Sequence, residues 1–167
     1  DDIYLGNPNL KKANVVQDFT QEQILEFMRC KANPVYFAKK HVKIVTLDHG
    51  LMPFEPYDFQ EGLINNFHRE RFNICKMPRQ TGKSTTVISY LLHYLLFNDS
   101  VNIGILANKA ATARELLGRL QTAYENVPKW MQQGVLSWNR GSLELENGSK
   151  ILAASTSASA VRGMSFN

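Results

Sequence analysis

Cysteine is scarce in this sequence: its 167 residues contain two, Cys30 and Cys75. They stand at no spacing that a metal-binding pair uses. They read as reduced thiols of a cytosolic protein rather than as a disulfide framework. Long apolar runs are missing as well. No stretch of 18 or more apolar residues occurs, so no segment is suited to cross a membrane as a helix. The opening DDIYLGNPNLKK lacks the charged-then-apolar pattern of a signal peptide, which speaks against secretion. Charge of one sign does not dominate, since 19 Lys and Arg face 15 Asp and Glu for a net +4. That mild excess fits an anionic partner such as DNA but is common among ordinary soluble domains. The four histidines, His41, His49, His68 and His93, are scattered and offer no ligand pair. Internal repeats are absent.

What is present is enough apolar material, 44% of the chain, for one compact domain with a core. The first fifteen or so residues are polar and expected to be loose. Thr20 and Gln23 stand at capping-box spacing ahead of Ile24, Leu25, Phe27 and Met28, which predicts a helix closed by Asn33-Pro34. PVYFAKKH reads as a second helical piece and VKIVTL as a strand. DHGLMPFEPY reads as a Pro/Gly-punctuated connection, dividing a small, mainly helical subdomain (1–53) from the remainder (54–167).

From Asp58 onward strands and helices alternate. DFQEGLINNFHRE is predicted helical, FNICK a short strand, and the segment from about Lys83 to Leu96 a helix. VNIGILA is a buried strand of the kind parallel sheets use. A helix follows, capped by Asn108, with Ala111, Leu116, Leu117, Leu120 and Tyr124 along its apolar stripe. VLSWN, SLELE and SKILAAS read as strands, the last two joined by an Asn147-Gly148 hairpin. The pattern predicts an α/β fold with a parallel sheet flanked by helices. Trp130 and Trp138 read as packing residues.

The chemistry-bearing stretch is KMPRQTGKSTT, residues 76–86. It follows an apolar strand and opens a helix, the arrangement in which backbone N–H groups and the helix dipole hold phosphate. Gly82 allows a tight turn and close approach of an anion. Lys83 supplies a compact positive charge, and Ser84 a hydroxyl for Mg²⁺. Met77 stands where the common phosphate-loop pattern has its first glycine. Pro78 stiffens the entry. Arg79, four residues before Lys83, is placed to stabilise charge on a departing phosphoryl group, or alternatively pairs with a local carboxylate. Some twenty residues upstream, Gln60 offers a donor and an acceptor together, which suits the edge of adenine; the alternative is a solvated helix glutamine.

Three segments together, PYDFQ, PRQTGKSTT and WNRGSLELENGSKILAASTSASAVRGMSF, closely resemble the ATPase part of the large terminase subunit of tailed bacteriophages, nearest the T-even-like group. That resemblance covers about Phe54 to Asn167. It implies an ASCE or RecA-like P-loop NTPase, ATP and Mg²⁺ as cofactors, and a motor that drives double-stranded DNA into a procapsid. It further implies a portal protein and a small terminase subunit as partners, and a homo-oligomeric ring on the portal with a monomer in isolation. The expected location is the cytoplasm of the infected host, not the mature virion. Carried over residue by residue, Gln60 reads adenine, and Pro78, Arg79, Gln80, Thr81, Gly82, Lys83, Ser84 and Thr85 cradle the phosphates. Ser84 serves the metal, while Lys83, Arg79 and Arg162 act in catalysis. Arg162 would face a neighbouring subunit's ATP, or instead form a fold-supporting ion pair. In the family an apolar strand ending in Asp-Glu follows Ser165-Phe166. The sequence stops at Asn167, so the expectation is a fragment truncated before its second acidic motif, binding ATP without efficient turnover. Two other readings are a helicase-like double-stranded-DNA translocase and a nucleotide-binding or portal-docking module without chemistry.

Overall fold

The computed structural model describes residues 2–78, 82–157 and 165–166. Its leading residues are ordered, contrary to the loose segment expected. β1 (Ile3–Tyr4) and β2 (Asn7–Lys11) form a small antiparallel hairpin. Leu10 at its end is fully buried. The single buried leucine and its neighbours anchor what composition alone marks as polar.

Thr20 caps α1 (Gln21–Ala32) through the predicted capping box, its hydroxyl accepting from Gln23 N–H at 3.1 Å while Gln23 Oε1 accepts from Thr20 N–H at 3.0 Å. Asn33 then serves two helices. It is the C-cap of α1, and its side chain accepts from Val35 and Tyr36 N–H as the N-cap of α2 (Pro34–His41). Pro34 at the first helical position costs no hydrogen bond there. β3 (Lys43–Thr46) continues into a second hairpin with β4 (Gly50–Pro53). DHGLMP is therefore partly strand rather than pure connection. Gly50, at φ +66°, supplies the left-handed residue that turns the chain back.

α3 (Asp58–Arg69) and α4 (Lys83–Phe97) follow. Ile88, Leu92, Leu95, Leu96 and Phe97 are all buried, along with Thr86, Ser89 and His93. A helix apolar on most of its surface belongs inside. α4 accordingly packs against α2 and α3 on one side and, on another, against α5 (Ala110–Glu125). α5 begins one residue later than expected, with Lys109 rather than Asn108 at its N-cap. Its buried stripe runs through Ala113, Leu117, Leu120, Ala123 and Tyr124, so Ala111 lies off it and exposed.

β5 (Asn102–Ala107), β6 (Val135–Trp138), β7 (Ser142–Leu145) and β8 (Lys150–Ser155) make one sheet in the order β5-β8-β7-β6. β5 and β8 are parallel, and the other two pairs are antiparallel. The sheet is mixed, not wholly parallel, because the Asn147-Gly148 hairpin reverses the chain between β7 and β8. Gly148 lies at φ +84° and donates its N–H to Leu145 O at 3.0 Å. FNICK is not a strand: no pairing is recorded for it among the described residues, and Phe72 and Ile74 face solvent. An apolar pentapeptide becomes a strand only when a neighbour accepts its hydrogen bonds.

One apolar core runs from Cys30 and Phe37 in the first helices through α4 and α5 to Ile151 of β8. Trp130 and Trp138 pack on its margin, as expected. Among the described residues, no helix is long and apolar enough to cross a membrane.

Candidate functional site

The site is assembled where α4 begins. Gly82 is its N-cap, held in the left-handed conformation at φ +77°. A glycine reaches that conformation without the steric cost a β-carbon imposes. The first bond of the helix runs from Thr86 N–H to Gly82 O at 3.0 Å. By helix geometry the amides of Lys83, Ser84 and Thr85 have no partner within the helix. Among the described residues no side-chain cap is found for them, and no acidic residue occupies the first turn. Lys83, Ser84 and Thr85 are all half-buried, and Pro78 is exposed at the other end of the loop. Arg79, Gln80, Thr81 and Arg162 fall outside the described residues.

Gln60 reaches this helix start from α3. Its side-chain Nε2 donates to Gly82 O at 3.2 Å and to Thr86 Oγ1 at 3.0 Å, and its Oε1 accepts from Tyr57 N–H at 2.9 Å. It is 3% exposed. In this arrangement both hydrogens of the carboxamide are already engaged, and the glutamine joins α3 to the turn. Thr86 Oγ1 also donates to Gly82 O, at 2.7 Å. The Gly82 carbonyl thus accepts from one backbone amide and two side chains. Converging donors of this kind hold a carbonyl in one direction and with it the peptide that enters the loop.

Two further residues join the site: Thr86, at the end of the PRQTGKSTT stretch, and Arg119, which with Lys109 and Arg114 reads from sequence as a basic residue facing DNA or solvent and not as part of this site. Thr86 completes the contact with Gln60, four residues after Gly82. Arg119, on α5, donates from Nη2 to Thr85 Oγ1 at 3.1 Å. Arg119 and Thr85 are separated by 34 residues, so only the packing of α5 on α4 brings them together. Beside them, β3, α4 and α5 border a narrow cleft of about 70 Å³ lined by Ile44, Thr85, Ile88, Arg119 and Thr122.

The chemistry available is anion binding: helix amides with no partner inside the helix, a lysine in the first turn, and a nearby guanidinium, all without an opposing carboxylate on that turn. Residues 74–167 match the family described as terminase large subunit, T4likevirus-type, N-terminal. The match takes in the whole of this helix start and the sheet behind it, more than half of the chain. Membership carries a general role in packaging phage DNA. The chain belongs to the T4-like large terminase subunits, of which it contains N-terminal sequence.

Proposed function

We propose that this chain is the ATP-binding part of a P-loop packaging motor, with the triphosphate held at the start of α4. The observation that carries the reading is the uncapped, acid-free first turn of α4, headed by left-handed Gly82 and followed by Lys83 and Ser84. Those residues suit ATP with Mg²⁺: the amides of residues 83–85 donate to phosphate oxygens, Lys83 neutralises charge, and Ser84 offers its hydroxyl to the metal. Bound Mg²⁺ and ATP together supply the phosphoanhydride and part of the charge compensation for its cleavage. Thr85 lies on the same turn, braced by Arg119. Pro78, Arg79, Gln80 and Thr81 complete the cradle. Arg79 stabilises charge that develops on the terminal phosphate, and Arg162 serves a neighbouring subunit in an assembled ring.

Gln60 takes two roles in this reading. Without nucleotide it fastens the loop to α3. With nucleotide, its carboxamide turns its donor and acceptor to adenine. In this reading ATP hydrolysis drives double-stranded DNA through the portal into a procapsid, in the host cytoplasm, with the portal protein and the small terminase subunit as partners.

The test is equilibrium binding of a fluorescent ATP analogue with Mg²⁺ to the wild-type chain and to Lys83→Ala. The expected result is saturable binding that weakens tenfold or more in the variant, about 1.4 kcal/mol. Equal affinity in both proteins, or none in either, defeats the reading.

A further inference from the structure

We propose that Glu26, Cys30 and His41 form a binding site for a divalent transition metal of the zinc class, separate from the helix start of α4. The three are the one group of His, Cys and acidic residues among those described whose ligand atoms all lie within 4.8 Å of one another.

Local structure explains the convergence. Glu26 and Cys30 stand one turn apart on the same face of α1. The Asn33-Pro34 corner folds α2 back beside it, and His41 is the last residue of α2. Oε1 of Glu26 is then shared: it lies 2.9 Å from His41 Nε2 and 3.6 Å from Cys30 Sγ. A tetrahedral zinc ion, with bonds of about 2.0–2.1 Å to N and O and about 2.3 Å to S, keeps its ligands roughly 3.3–3.6 Å apart. The two separations to Glu26 Oε1 already lie close to that spacing, and the third, between Cys30 Sγ and His41 Nε2, is within 4.8 Å.

The donors are one sulfur, one imidazole nitrogen and one carboxylate oxygen. That mixture favours Zn²⁺ and its neighbours over Mg²⁺ or Ca²⁺, which take oxygen ligands. The second oxygen of Glu26 accepts from Tyr36 O–H at 3.0 Å, and Arg29 stands 3.9 Å from it. Such partners fix the carboxylate so that its free oxygen faces the cluster. Access comes from the Glu26 and His41 side, where those side chains retain 22% and 13% exposure, while Cys30 closes the floor. Water on the open side supplies the remaining position.

Without metal the same atoms form a hydrogen-bonded clamp, Cys30 S–H and the imidazole both directed at the carboxylate. On binding, the Cys30 proton leaves to solvent, the His41 hydrogen resides on Nδ1, and three coordinate bonds replace the two hydrogen bonds. No electron is transferred. The consequence is a metal staple joining α1 to α2.

The test uses the intact chain, stripped with EDTA and kept reduced, titrated with Co²⁺ and Zn²⁺ and with Mg²⁺ as control. Expected are one equivalent of bound Co²⁺ with a thiolate-to-cobalt absorption band, a rise in Tm with Zn²⁺, and no response to Mg²⁺. The band disappears in Cys30→Ser and persists in Cys75→Ser. His41→Gln keeps a donor for Glu26 and so preserves the fold, yet weakens Co²⁺ tenfold or more; it serves if Cys30→Ser does not fold. Absence of the band in the wild type, its loss in Cys75→Ser, or undiminished affinity in His41→Gln overturns the proposal.

Discussion

Gln60 Nε2 donates to Gly82 from the side on which a β-carbon at residue 82 would stand. The left-handed turn and the glutamine therefore both disfavour a β-carbon at 82, the first by conformation and the second because the Gln60 carboxamide would have to move. Gly82→Ala is expected to cost about 1–2 kcal/mol for the backbone alone, with the clash added. Gln60→Ala removes that clash and also loses three hydrogen bonds. In urea denaturation of the two single variants and the double, the double should be less destabilised than the sum. Strict additivity would show that the two residues do not press on each other.

Arg119 tests the reach of the site. It is exposed, so Arg119→Ala should leave unfolding free energy within about 0.5 kcal/mol of wild type. Its loss of the Thr85 contact should weaken nucleotide binding roughly three- to tenfold, about 0.7–1.4 kcal/mol. An unchanged affinity would confine Arg119 to a surface role.

Gln132 is the polar centre of the chain's first third meeting its last. It is 3% exposed, accepts from Lys11 N–H at 3.1 Å, and donates to the carbonyls of Asn9, Tyr124 and Val127 at 2.9–3.1 Å. Gln132→Leu leaves buried backbone groups unpaired and should cost on the order of 2–4 kcal/mol. A midpoint in urea equal to that of wild type would contradict this.

His93 sets an acid limit on stability. Burial pulls its pKa from 6.5 down to about 4, opposed in part by the hydrogen bond between Nε2 and Cys30 O. Between those values the unfolded chain takes up a proton that the folded chain refuses. Stability from this group is thus full above about 6.5 and falls as pH drops toward 4, by on the order of 3 kcal/mol. Denaturation in EDTA across that range should show the slope, and His93→Phe, among Phe37 and Phe97, should flatten it. An equal slope in both would assign the acid sensitivity to other groups.

Local signals were legible in the sequence where local chemistry decides. Thr20 with Gln23, Asn33 with Pro34, and Asn147 with Gly148 each determine a cap or turn within a few residues, and each is found where expected. FNICK failed because strand formation depends on a partner, which its own side chains do not encode. The mixed sheet was missed because the buried runs of β5 and β8 read as parallel strands while the intervening hairpin sets the direction. At the candidate site, Gly82, Lys83 and Ser84 were readable as a contiguous motif. Arg119, and the meeting of Glu26 and Cys30 with His41, were not, because each needs two helices packed before the atoms come near.

The bonds from Gln132 to Lys11 and Asn9 span 121 and 123 residues. Closing so long a stretch of chain delays its reward until most of the molecule is already built, so the β1–β2 hairpin should dock last. In native-state hydrogen exchange the amides of Lys11 and Lys12 should open before those of α4. The β1–β2 hairpin is thus expected to be the final piece seated and the first released.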